Sequence, residues 1–178
     1  MREWNVIATS LEGRRPALLA ALRRLGAFWP APFRNVVLGF VEDRGAFADR
    51  LKELLEKDRR LGTSLSRALA VEKSLTLRPD DLVQRLQEAV APLAERIDGR
   101  RFYVRFERRG LKGKINSPAV EREIGEFLIE QLQRRGFSPK VGFSDPDVIV
   151  LIETVGETAG IALVEREARA KYPFIRVK

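Results

Sequence analysis

The chain has 178 residues, 44% of them hydrophobic and 33% charged, and a net charge of +8. That length allows one large domain or two small ones, the composition is that of a globular chain, and the charge favours anionic partners. With no cysteine and no histidine, disulfides, thiol nucleophiles, iron–sulfur clusters, zinc held by Cys or His, and the commonest general base are excluded.

The N-terminus, Met1-Arg2-Glu3-Trp4-Asn5, lacks the apolar core of a signal peptide. No apolar run approaches the roughly 18 residues of a membrane span. A cytoplasmic protein with no membrane partner is therefore expected. Residues 4–9 read as a strand. Pro16 suits a first helical turn, Leu18, Leu19, Leu22 and Leu25 follow at helical spacing, and Gly26 stops the run. Pro30 and Pro32 break the pattern between two further strands, residues 27–29 and 35–41. Asp43 is a candidate N-cap for a helix carrying Phe47, Leu51, Leu54 and Leu55, which decays into the charged run 56–60. After Gly62, residues 68–77 read as one strand. The order β-α-β-β-α-β is that of a ferredoxin-like unit, expected over residues 1–77. Trp4 and Trp29 fit core or interface positions better than stacking platforms.

A second unit is expected over residues 78–178, packed directly on the first because no low-complexity linker separates them. Pro79 with Asp80 and Asp81 makes a helix start, proline at the first position and carboxylates at the positive end of the dipole. Leu82, Leu86, Val90, Leu93 and Ile97 form its apolar stripe, with Pro92 as a kink site. Asp98-Gly99 ends that helix and leads into a basic strand. Ser117 as cap and Pro118 at the first position start the next helix, whose buried face carries Val120, Ile124, Phe127, Leu128 and Leu132 up to Gly136. Residues 147–152 are nearly all apolar and read as a central strand buried on both faces. Residues 156–160 make a turn and 161–164 the last strand, followed by a basic, aromatic tail. The strand–helix–strand part should be right-handed, with parallel strands.

The basic strand and its loop, Arg100 to Lys114, carry the chemistry. Five arginines and two lysines there face one acid, Glu107. Period-two alternation puts Phe102, Val104 and Phe106 on one face, and Tyr103 and Arg105 on the other. Tyr103 could stack a base, or a second packed layer could cover it. Arg108, Arg109, Lys112 and Lys114 follow the carboxyl end of the strand, where open α/β sheets bind ligands. The following helix N-terminus adds free amides for an anion. Arg122, in its second turn, either shares that side or pairs with Glu126. A basic edge that merely keeps the sheet soluble is the competing reading. Gly110-Leu111-Lys112-Gly113-Lys114 fails the phosphate-loop pattern, because only two residues separate the glycines and Ile115 follows the lysine. Its glycines are read as loop flexibility. Asp145, Asp147 and Glu153 could suggest a metal site, but a turn and a cap explain the first two better. Glu121, Glu123 and Glu126 read as a solvated helical face.

Taken together, the second unit resembles the THUMP domain. The residues that carry the resemblance are Phe102-Tyr103-Val104-Arg105-Phe106-Glu107-Arg108-Arg109-Gly110, Ser117 with Glu121-Arg122-Glu123-Ile124-Gly125, Asp145-Pro146-Asp147-Val148-Ile149-Val150, and Ala159-Gly160-Ile161-Ala162-Leu163-Val164. A preceding ferredoxin-like unit is common in THUMP proteins, so the resemblance covers nearly the whole chain. It implies an α/β (α+β) fold and binding of the tRNA acceptor stem and 3′ CCA end. It also implies delivery of tRNA to a modifying domain; none is visible in this sequence, which is most similar to stand-alone THUMP proteins acting as adaptors for cytidine acetylation. The expectation is a non-catalytic, cofactor-free, metal-free tRNA-binding protein with a separate tRNA-modifying enzyme as partner. Its phosphate contacts are expected from Arg105, Arg108, Arg109, Lys112, Lys114 and Arg122, helped by Lys140, Lys171 and Arg176. A protein–protein adaptor docking an acidic partner through the basic loop is the alternative. A small enzyme using carboxylates and lysine is a third reading.

Overall fold

In the computed structural model, which describes residues 2–177, the chain divides into two units. Residues 1–74 join 168–178 in the first, and residues 75–167 form the second.

The first unit contains β1 (Val6–Ser10), α1 (Arg15–Leu22), β2 (Ala27–Pro30), β3 (Val36–Phe40), α2 (Arg44–Lys57), α3 (Arg59–Gly62) and β4 (Leu65–Ala70). Its sheet has the order β2-β3-β1-β4 with antiparallel neighbours, the arrangement expected of a ferredoxin-like unit. Pro16 sits in the first turn of α1, and Leu18 and Leu22 are fully buried. Asp43 caps α2, its carboxylate accepting from Ala46 N at 3.0 Å. Phe47, Leu51 and Leu54 of α2 then pack with Val6, Ala8 and Phe28 in one core. The charged run 56–60 does not simply fray: Asp58 accepts from Arg60 N at 3.1 Å and starts the short α3. Trp4 is buried, while Trp29 is half-buried beneath the Arg2 guanidinium, 4.2 Å from its ring centre.

The expected single strand over 68–77 is two strands in two sheets. β4 ends at Ala70, and β5 (Lys73–Thr76) joins the second sheet. Val71 breaks the run because its N–H donates to Asn5 O at 2.8 Å while its carbonyl accepts from Arg44.

The second unit continues with α4 (Leu82–Val90), a 3-10 turn over Ala91–Leu93 at Pro92, α5 (Ala94–Ile97), β6 (Arg101–Glu107), α6 (Ser117–Arg134), β7 (Lys140–Val141), β8 (Val148–Val155) and β9 (Thr158–Glu165). The sheet order is β5-β9-β8-β6-β7. β6 and β8 are parallel, as a helical crossover requires, with Phe102 opposite Val148 and Phe106 opposite Ile152. β8 is buried along its whole length. Leu86, Val90 and Ile97 pack with Val104, Ile124, Leu128 and Val150 in one core. Each such fully buried side chain contributes about 1.5–3 kcal/mol.

Three boundaries differ from the sequence reading. Asp81 does not place its carboxylate in the first turn of α4; it accepts instead from Arg78 N at 3.0 Å, just before the helix. The cap of α6 is Asn116, whose side chain accepts from Ala119 N at 3.1 Å, with Ser117 and Pro118 inside the first turn. The turn expected over 156–160 is a two-residue hairpin at Gly156 and Glu157, since Val155 already pairs with Thr158. Gly156, at φ 62°, supplies the left-handed residue such a hairpin needs.

The tail 168–178, expected in the second unit, clusters with the first. α7 (Arg166–Lys171) leads into it, and Tyr172 and Phe174 are buried in the first core. Ala68 N donates to Phe174 O at 3.0 Å, and the Tyr172 hydroxyl donates to Asp49 at 2.7 Å.

Candidate nucleic-acid interface

β6 presents the alternation its sequence predicts: Phe102, Val104 and Phe106 are buried, while Tyr103, Arg105 and Glu107 are half-buried on the other face. Beyond it, Gly110 (φ 99°), Leu111 (φ 51°) and Gly113 (φ 77°) all adopt left-handed backbone. The two glycines are there for conformation, because a side chain would be strained at those angles. The turn closes with Lys114 N donating to Leu111 O at 3.1 Å. Lys112 and Lys114 stand exposed on it, directly ahead of α6.

The arginines of this segment fare differently. Arg109 is 17% exposed and ion-paired to Glu153, which is fully buried, with Glu107 at 3.8 Å on its other side. Its backbone is tied to the same strand: Arg109 N donates to Thr154 O at 3.2 Å, and its carbonyl accepts from Gly156 N at 2.8 Å. Arg109 therefore anchors the start of the basic loop to β8 and is not available as a phosphate grip. Arg108 folds back to donate to Gly110 O at 2.7 Å. Arg105, 38% exposed, lies 3.4 Å from Glu121, which also accepts from Phe106 N at 2.9 Å. Glu121 thus satisfies an edge amide of β6 and is not merely part of a solvated face.

Arg122 is exposed on α6, and the i,i+4 ion pair on this helix among the described residues is Arg134–Glu130, not Arg122–Glu126. Lys140 is exposed on β7. Lys171 and Arg176 lie in the first unit, apart from the loop in the fold's division. Lys171 pairs with Asp49 at 2.8 Å, and this hydrogen bond raises its pKa and lowers that of Asp49. Arg176 is exposed, with Nε donating to Pro173 O at 2.8 Å.

The acids flagged as metal candidates are engaged in the frame. Asp147 accepts from Arg101 N at 2.8 Å, the main cause of its lowered pKa, and pairs with Arg166 at 2.9 Å. Arg166 also reaches Asp145 at 3.2 Å. Among the described residues no group of three or more acids, His or Cys is placed to hold a metal.

Two features escaped the sequence reading. One is a cleft of about 290 Å³ whose walls include Tyr103 of β6, Arg122, Gly125 and Glu126 of α6, and Val141 and Phe143. The Tyr103 and Phe143 ring centres are 5.2 Å apart. The other is charge placement. The first unit holds 18 Lys and Arg against 9 Asp and Glu, a net +9, whereas the second holds 15 against 16, a net −1. Counting by unit, not along the basic stretch, is the signal that would have found it. In the first unit a groove of about 240 Å³ between α1 and α3 is lined by Arg14, Ala17, Asp58, Arg60, Thr63 and Ser64.

Against known proteins, residues 79–164 match the THUMP domain. No curated protein matches the chain in sequence. Among solved structures, TrmN from Thermus thermophilus is similar at 25% identity and a TM-score of 0.65 over 90% of this chain and 45% of its own. PH1313 from Pyrococcus horikoshii OT3 is similar at 11% identity and 0.63, over 92% and 55%. A 4-thiouridine synthetase in complex with RNA and ATP is similar at 18% identity and 0.57, over 92% and 42%. The last two are likenesses of fold. The chain spans about half the length of these proteins.

Proposed function

We propose that this chain, which carries a THUMP domain over residues 79–164, is a cytoplasmic tRNA-binding protein that grips the acceptor stem and 3′ CCA end. We further propose that it acts as a non-catalytic adaptor for a separate tRNA-modifying enzyme, such as a cytidine acetyltransferase. The THUMP match carries the reading. Three things support it: the exposed Lys112–Lys114 turn ahead of α6, the excess positive charge of the first unit, and the RNA held by a protein of similar fold. The non-catalytic part rests on chemistry. The chain has no His or Cys, and Glu121, Glu153, Asp145 and Asp147 each hold structural partners.

A gel-shift titration of intact tRNA against tRNA lacking its CCA end tests the reading. Tighter binding of intact tRNA is expected, with affinity falling steeply as salt rises; equal affinity removes the 3′-end part. A protein-docking role without RNA is the outcome if purified protein shows no bound nucleic acid in its 260/280 nm ratio and no shift with tRNA.

A further inference from the structure

Phosphate binding does not account for the cleft between β6 and α6. We propose that it holds a single unstacked nucleobase of the bound RNA, against the rings of Tyr103 and Phe143, with Arg122 and Lys140 meeting the flanking phosphates. The inference rests on the RNA-binding reading of the same unit and adds to it a site and a ligand chemistry.

Phe143 is 75% exposed and Val141 51% exposed, two of the few large apolar side chains left to solvent. Their segment is anchored. Gly142 N donates to Phe102 O at 3.1 Å, Asp147 N donates to Arg101 O at 2.8 Å, and Arg166 pairs with both Asp145 and Asp147. The fold thus holds an aromatic ring out of its core, beside a second ring, on a tethered loop. Aromatic faces of this kind stack unpaired bases and tolerate any of the four.

Gly125 adds an independent observation. It lies inside α6, where alanine would favour the helix. A Cβ there would meet only Val104 Cγ2, at 4.0 Å, an ordinary contact. Packing does not demand the glycine; its missing side chain leaves the cleft open.

The rim selects the occupant. Glu121, on the wall, is turned to Arg105 and Phe106 N. Arg122 on the wall and Lys140, next to Val141, are exposed cations. A base joined to phosphates satisfies rings and cations together; an apolar peptide side chain satisfies only the rings. Glu126, exposed on the same wall, offers an acceptor to the exocyclic amine of cytosine or adenine.

A short single-stranded RNA carrying 2-aminopurine at successive positions is the probe. Binding should quench the fluorophore at one position, and an RNA abasic there should bind about tenfold more weakly, as the loss of one stacked base implies. Phe143→Ala should abolish the quench. Gly125→Leu fills the cleft while favouring the helix; it should weaken binding of the intact RNA about tenfold, leave the abasic RNA unaffected, and keep the melting temperature at or above that of the parent. If the parent binds RNA but neither variant changes affinity and no position is quenched, the base site is wrong and the RNA-binding reading stands. If the parent does not bind RNA, both fall. If Phe143→Ala releases a co-purifying protein and leaves RNA affinity unchanged, the cleft is a protein dock and the base site is overturned.

Discussion

Arg109 and Lys112 are three residues apart and do opposite things. Arg109 is nearly buried beside the fully buried Glu153, with Glu107 at 3.8 Å. Removing its guanidinium takes a cation from a fully buried carboxylate, so Arg109→Ala should cost about 3–5 kcal/mol of stability in chemical denaturation. Replacing Arg109 and Glu153 together by methionine also removes the fully buried charge and should cost less than Arg109→Ala alone, Glu107 keeping its carboxylate beside the site. Lys112 and Lys114 are exposed, so Lys112→Glu with Lys114→Glu should stay within about 0.5 kcal/mol per substitution while weakening RNA binding. Loss of RNA affinity in Arg109→Ala beyond what unfolding explains would return that residue to the interface. The sequence showed a run of cations; it could not show which were consumed. The acid that captures Arg109 lies 44 residues away, and only the pairing of β6 with β8 brings it there.

At the scale of elements, long periodic segments were legible and short ones were not. The stripe Val120, Ile124, Leu128, Leu132 is the buried face of α6, and the apolar run of β8 is buried at every position, with Val148, Val150 and Ile152 in the same core as that stripe. β7 has two residues and no period to read. The basic, aromatic tail read as the end of the second unit; Tyr172 and Phe174 anchor it in the first core, and their partners there, Phe47 and Leu51, are over a hundred residues distant. Caps were legible to within one residue: Asn116 and Ser117 are both good caps, and local geometry chose Asn116. Asn116→Ala should therefore cost about 1 kcal/mol, and Ser117→Ala much less. The tail is also tied by Asp49 to Lys171 and Tyr172. Because the folded state lowers the Asp49 pKa from 3.8, this tie is complete above the unfolded value and is lost as pH falls through the lower folded one. Amides of residues 168–177 should then lose protection relative to their intrinsic exchange rates in acid, and Asp49→Asn should give the same loosening at neutral pH. Unchanged exchange in Asp49→Asn would mean the buried aromatics alone hold the tail.

Over the whole molecule, the net +8 is a property of one unit. The first carries +9 and the second, which holds the stretch that matches the THUMP domain, carries −1. This separates two tasks that the basic stretch alone had seemed to combine. Long-range attraction follows summed charge and steers encounter; in the proposed function, recognition of a particular end falls to local groups such as the Lys112–Lys114 turn and the aromatic cleft. The α1–α3 groove carries Arg14 and Arg60 on its walls, with Thr63 and Ser64 beside them, and is a place to test whether the first unit meets the RNA backbone. Charge reversal separates the tasks. Arg14→Glu with Arg60→Glu should slow association at low salt and leave the preference for intact over CCA-less tRNA unchanged. Lys112→Glu with Lys114→Glu should narrow that preference. Each lost phosphate contact should take roughly 0.9 from the slope of log affinity against log salt on a duplex, so either pair should flatten it by up to about 1.8. Stopped-flow association across a salt series, beside equilibrium titrations of the two tRNAs, reads both quantities. An Arg14→Glu/Arg60→Glu protein with the parent's association rate and slope would show that this groove does not meet RNA, and that its arginines serve solubility.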